Sequence, residues 1–241
     1  MLQNIKKFIQ KENIYRIVCI GDSLTSAEWV HPNWRDIVEY VLKQDITANF
    51  FKENDGWKVP SWNIRMINSG LDGATTANYV LLLEEYVYLY KPQLAIIMLG
   101  CNDALFLQPE ATYDNLRSMI QDFKEANITV ALANDPYITD EIYRNKYMPF
   151  HEKIQQLSGE ADIFVDLWSE TQQFPLKDMF TYISDGNDDV PMKPGDIDYL
   201  HPNPLGNAYI AKVFLKQIFG IDFDAEKYIQ GVIEGVMFPN Y

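Results

Sequence analysis

Short apolar runs separated by segments of helical length constrain this chain more than any other feature. Residues 14–20 are apolar and β-rich and stop at Gly21, and residues 94–99 form a continuous apolar run that stops at Gly100. Residues 64–67, 128–133 and 163–167 repeat the pattern, which predicts five strands. A strand that is apolar at every position is covered on both faces, as in parallel sheets. Between the strands lie stretches of helical period at 2–12, 34–42, 74–90, 112–126 and 140–158, the third stopped before Pro92. Leu116, Ile120 and Phe123 line one face of the fourth. Asn203-Pro204 reads as an N-cap followed by proline at the first helical position, with Ile210, Val213 and Phe214 turned inward. A last helix is predicted at about 225–236. This alternation implies an α/β fold with a parallel sheet, right-handed crossovers and helices on both faces. Ligands bind such sheets outside the carboxyl ends of the strands. A length of 241 residues suits one domain, 1–241, with a core at about 13–220 and helical extensions at both ends.

Composition narrows the partners. Thirty-four acidic residues against twenty basic ones give a net charge of −14, which repels nucleic acid and anionic lipid. Two cysteines, Cys19 and Cys101, suggest neither a disulfide framework nor a zinc site. No apolar run is long enough to span a bilayer. Residues 1–7 lack the apolar stretch of a secretory signal, which points to the cytoplasm. Residues 185–189 open like a calcium loop, but Val190 stands where glycine is needed and no glutamate closes it, so a solvated acidic turn is expected. Residues 45–63 and 171–197 break the strand–helix pattern. The first carries Phe50, Phe51, Trp57 and Trp62 in a loop context, either as a flap over a site or as plain packing.

Four short segments at the predicted ligand edge carry polar chemistry. Gly21-Asp22-Ser23-Leu24 follows the first strand, at a strand-to-helix junction whose amides face developing negative charge. By itself it also reads as a helix cap. Asn68-Ser69-Gly70-Leu71-Asp72-Gly73 follows the second strand; the Gly73 amide lies open to close approach, or the segment is a plain glycine turn. Gly100-Cys101-Asn102-Asp103 follows the third, where Asn102 donates toward the same space or makes an Asx turn. Asp198-Tyr199-Leu200-His201 precedes the helix at Pro204. There an aspartate three residues before a histidine reaches Nδ1 and turns Nε2 to the serine, or the histidine is incidental in a surface loop. Asn134-Asp135-Pro136, after the fourth strand, is a pocket wall or a pre-proline turn.

In this order the four segments resemble the signature blocks of the SGNH superfamily, the GDSL-type lipases and esterases, across residues 21–201. The second block matches loosely. The resemblance implies a three-layer α/β/α, flavodoxin-like fold with a five-stranded sheet. It implies Ser23 as nucleophile, His201 as base and Asp198 as its orienter. An oxyanion hole would come from the Ser23 N–H, the Gly73 N–H and the Asn102 side chain. It implies no metal and no organic cofactor, and a small-molecule ester as partner. Asp22, Leu24 and Asp103, within these blocks, and His31, shortly after the serine, are candidates for the substrate pocket. His31 has no aspartate placed like Asp198, and His151 lies in a helix, so His201 is preferred as base. No Gly-x-Ser-x-Gly elbow occurs, unlike the α/β-hydrolases. A serine ester hydrolase is therefore expected. The alternatives are a thioesterase, a carbohydrate deacetylase using the same residues, and a non-catalytic binding module.

Overall fold

The computed structural model describes residues 1–11, 13–26, 28–50, 60–187 and 189–241. Five strands form one sheet: β1 Tyr15–Gly21, β2 Ile64–Gly70, β3 Leu94–Met98, β4 Thr129–Ala133 and β5 Ile163–Val165. The spatial order is β2-β1-β3-β4-β5, and every neighbouring pair is parallel. The helices are α1 Leu2–Ile9, α2 Trp34–Phe50, α3 Thr76–Tyr86, α4 Asp103–Phe106, α5 Pro109–Glu125, α6 Glu141–Gln156, α7 Leu167–Thr171, α8 Leu176–Met179, α9 Pro204–Phe214 and α10 Ala225–Ile233.

Alternation along the central strands builds two cores. Ile17, Cys19, Leu94 and Ile96 face one layer, where Trp34, Val38 and Leu42 of α2 meet Ile210 and Phe214 of α9. Val18, Ile20, Ala95 and Ile97 face the other, against Leu83 of α3, Leu116 and Ile120 of α5, and Tyr147 and Ile154 of α6. Fully burying an aliphatic side chain of this kind contributes roughly 1.5–3 kcal/mol, so the strands are held from both sides. The chain leaves β1 toward β2 on one side and later crosses to β3 on the other. That reversal opens a crevice at the carboxyl ends of β1 and β3.

Several elements differ from the sequence reading. Helix α2 continues to Phe50, because Trp34, Val38, Leu42 and Ile46 repeat every four residues and all are fully buried. Residues 45–50 are thus helix rather than loop. Phe51 and Trp57 lie outside the described residues, and so does most of the predicted flap. Trp62 sits half-exposed in the 3₁₀ turn Pro60–Asn63. Helix α3 starts at Thr76, where the Thr75 N–H donates to the Asn78 side chain at 2.8 Å, and it ends before buried Val87. A separate 3₁₀ turn covers Tyr88–Tyr90. Within 171–197, antiparallel bridges Ile183–Ile197 and Asn187–Met192 shape a narrow ribbon beyond α8. No helix among the described residues is long and apolar enough to cross a membrane.

Candidate active site

Gly21 closes β1 where the chain doubles back: a Cβ there would collide with the Thr25 hydroxyl and lie 2.9 Å from the Met98 carbonyl. Only glycine fits. The Thr25 and Ser26 amides donate to the Asp22 carbonyl at 3.0 and 2.9 Å, and the Leu24 amide donates to Asp22 Oδ1 at 3.0 Å. This tight turn, not a helix, presents Ser23; α2 begins only at Trp34. The expected strand-to-helix junction is therefore corrected, and no helix dipole stands directly behind the serine.

His201 arrives from the segment before α9. The Asn203 side chain caps that helix, accepting from the Gly206 amide at 2.9 Å. Asn207 then fastens the segment, donating to the Pro202 carbonyl at 2.8 Å and accepting from the Trp34 amide at 2.9 Å. The result is a line of three groups. His201 Nε2 lies 3.1 Å from Ser23 Oγ, and Nδ1 lies 2.7 Å from Asp198 Oδ2. A carboxylate can only accept, so Nδ1 carries the proton and Nε2 is left as acceptor for the serine hydroxyl. Asp198 Oδ1 accepts from the Leu200 and His201 amides at 2.8 and 3.0 Å. Burial works against its ionisation, yet the imidazole and these two amides outweigh it and hold the carboxyl below its ordinary range.

The donors expected around Ser23 lie on neighbouring turns. Gly73 adopts φ +69° between Leu71 and Ala74, a backbone state that favours glycine. Among the described residues its N–H and that of Ser23 make no hydrogen bond. Asn102 Nδ2 lies 3.3 Å from Asp22 Oδ2 and 3.2 Å from the Ala74 carbonyl. Asp22 is thus buried beneath the turn and holds Asn102 rather than lining a pocket. Burial, reinforced by nearby Asp135, raises its carboxyl well above the usual range. Burial likewise raises Asp135, which accepts from the Tyr147 hydroxyl at 2.7 Å.

The remaining pocket candidates separate. Leu24 borders a shallow dimple with Cys101, Asp135 and Pro136. Asp103 is fully buried; it accepts from the Thr76 amide at 3.0 Å and the Thr112 hydroxyl at 2.8 Å, with a further bond from the Thr76 hydroxyl. It pins α3 to α5 and is not a pocket residue. His31 is exposed, its Nδ1 3.6 Å from Asp36. Asn134 ties β4 to α7, accepting from the Trp168 amide at 2.9 Å. His151 is buried against Trp168, and burial depresses its pKa. Burial also raises the Cys101 thiol, which leaves it a poor nucleophile.

Two features escaped the sequence reading. Trp29 stacks on His201, ring centroids 4.3 Å apart and planes 9° from parallel. A cleft of about 390 Å³ opens beside His201, with Trp29, Tyr182, Asp185, Asn187 and Met192 in its walls. The only foreshadowing of Trp29 was an aromatic residue soon after the serine. A larger hollow of about 680 Å³ near Lys212 and Phe223 includes none of these residues.

Residues 19–209 match the model of the GDSL-like Lipase/Acylhydrolase family. The chain belongs to that family. An arylesterase from Vibrio mimicus is 26% identical over 214 residues, covering 84% of this chain and 88% of that protein. Among solved structures, an acetylxylan esterase from Geobacillus stearothermophilus superposes with a TM-score of 0.65 at 20% identity, covering 88% of this chain and 96% of the other. The acetyl xylan esterase AlAXEase gives 0.64 at 18% identity, covering 85% and 100%. Both share the parallel three-layer SGNH fold.

Proposed function

We propose that this GDSL-family protein is a serine esterase that works through an acyl-enzyme on Ser23. One observation carries the reading: a single imidazole bridges the Ser23 hydroxyl at 3.1 Å and the Asp198 carboxylate at 2.7 Å. His201 takes the hydroxyl proton as Ser23 attacks the ester carbonyl. The Ser23 and Gly73 amides receive the oxyanion, joined by Asn102 Nδ2 as it exchanges its 3.2 Å bond to the Ala74 carbonyl for the oxyanion. The imidazolium, steadied by Asp198, protonates the leaving alcohol, and water then releases the acid by the same route. The test is hydrolysis of p-nitrophenyl acetate together with fluorophosphonate labelling. Ser23→Ala is expected to lose both, and retention of turnover would remove Ser23 from the reaction.

A narrower reading is favoured by the shape of the site. The dimple beside Leu24 is about 10 Å³, whereas the cleft beside His201 is about 390 Å³ and offers Ser184, Asp185 and Asn187 as polar partners. A bulky, hydroxylated alcohol suits that cleft, and two structural neighbours are acetylxylan esterases, which favours a short acyl group. Acyl-CoA suits it poorly, since the described cleft walls hold acidic side chains and neither lysine nor arginine. Acetate against octanoate esters, acetylated xylo-oligosaccharides and acetyl-CoA separate these substrates. Preference for octanoate or for the thioester would reject the narrower reading.

A further inference from the structure

We propose that Trp29 is a positioning residue for this reaction, setting the plane of the His201 imidazole and tying it to the Gly73 turn. The inference rests on His201 acting as the base of the esterase proposed above. Its two hydrogen bonds leave from Nδ1 and Nε2, on opposite sides of the ring. They fix the line from Asp198 to Ser23, and leave rotation about that line to be limited by the Cβ tether and by whatever packs on the ring faces. A lone pair tilted away from the Ser23 hydroxyl is a poorer proton acceptor. The near-parallel indole of Trp29, 4.3 Å away, blocks one face and restricts that rotation.

The indole has an anchor of its own. Trp29 Nε1 donates to Asp72 Oδ1 at 3.0 Å. Asp72 immediately precedes Gly73, whose amide is one of the donors proposed for the oxyanion. Base and oxyanion turn are therefore joined through two side chains, His201 to Trp29 and Trp29 to Asp72. Ordinary core packing does not account for the position, because Trp29 is 51% exposed and forms a wall of the cleft. An indole face also suits the cationic imidazolium that forms during attack, a contact favoured where the partner is charged.

The test uses the full chain and p-nitrophenyl acetate, with kcat and KM determined for wild type, Trp29→Phe, Trp29→Ala, Asp72→Asn and Asp72→Ala. Misplacing a reacting group by about 1 Å costs on the order of a hundredfold. Partial loss of ring alignment is therefore expected to lower kcat about 10- to 100-fold in Trp29→Ala, with KM nearly unchanged. Trp29→Phe keeps a flat ring but loses the donor to Asp72, so it should recover part of kcat, to about the level of Asp72→Ala. Asp72→Asn keeps an oxygen acceptor for the indole and should exceed Asp72→Ala. A spectroscopic readout is independent of turnover. The emission that Trp29→Phe removes should change in wavelength or intensity in His201→Ala at constant pH, because the indole loses the ring stacked on it at 4.3 Å. If Trp29→Ala does not fold, Trp29→Phe, Asp72→Ala and the emission carry the test. An active wild type with unchanged kcat in the folded variants, or a change confined to KM, overturns the positioning role alone. An inert wild type, or turnover surviving Ser23→Ala, overturns the esterase reading and this proposal with it.

Discussion

Asp198→Asn tests the tautomer of His201 with almost no change in shape. The native carboxylate uses Oδ1 for the Leu200 and His201 amides and Oδ2 for Nδ1. An asparagine keeps its oxygen toward the two amides, because two donors there need an acceptor. Its NH₂ group then faces Nδ1, which must accept and so gives up its proton. The proton moves to Nε2, 3.1 Å from Ser23 Oγ, where the lone pair needed for proton removal is lost. In a Ser-His-Asp triad a wrong tautomer costs about 10⁴ in kcat, which corresponds to about 5.4 kcal/mol of barrier. Stopped assays with p-nitrophenyl acetate at saturating substrate read kcat, and thermal melts confirm the fold. KM should move little. A folded Asp198→Asn enzyme within tenfold of wild-type kcat would refute the reasoning. It would mean that Asp198 merely holds its loop.

Asn102→Ala is expected to lower kcat on the order of 10²- to 10³-fold, the usual cost of one oxyanion donor, while leaving KM for p-nitrophenyl acetate within a few fold. His31→Ala should retain most of the turnover, since its ring is exposed and paired with Asp36 rather than with Ser23; His201→Ala should not. Asp135→Asn should gain stability over wild type as pH rises above the ordinary carboxylate range. Burial raises the native carboxyl to about 7, so up to that pH the unfolded chain ionises while the native group keeps its proton and the wild type loses stability, whereas a neutral amide does not titrate. Melting temperatures of the two proteins at pH 5 and pH 8 check this, and a constant difference would count against it.

The parts readable from sequence were those set by local chemistry. β1 and β3 are apolar at every covered position, and that alone demanded helices on both faces. Asn203 and Pro204 marked the start of α9 because capping needs only neighbours in the chain. The environment of Ser23 was less legible. Glycine followed by polar residues suits a helix start as well as the tight turn observed, and the collision at Thr25 becomes visible only in three dimensions. Asp103 looked like a pocket group because it adjoins Asn102. Its true partners, Thr76 and Thr112, come from two other helices. Trp29 and His201 are 172 positions apart in the numbering, and no periodicity links an aromatic ring in one loop to an imidazole in another.

The ribbon from Tyr182 to Asp198 is stitched at its foot, where the Asp198 amide donates to the Tyr182 carbonyl at 2.8 Å. Tyr182 walls the cleft, while Asp198 grips the imidazole. Whatever spreads that wall therefore tugs on the group that aims the base. Selection for a new cargo along this ribbon would disturb speed as well as choice.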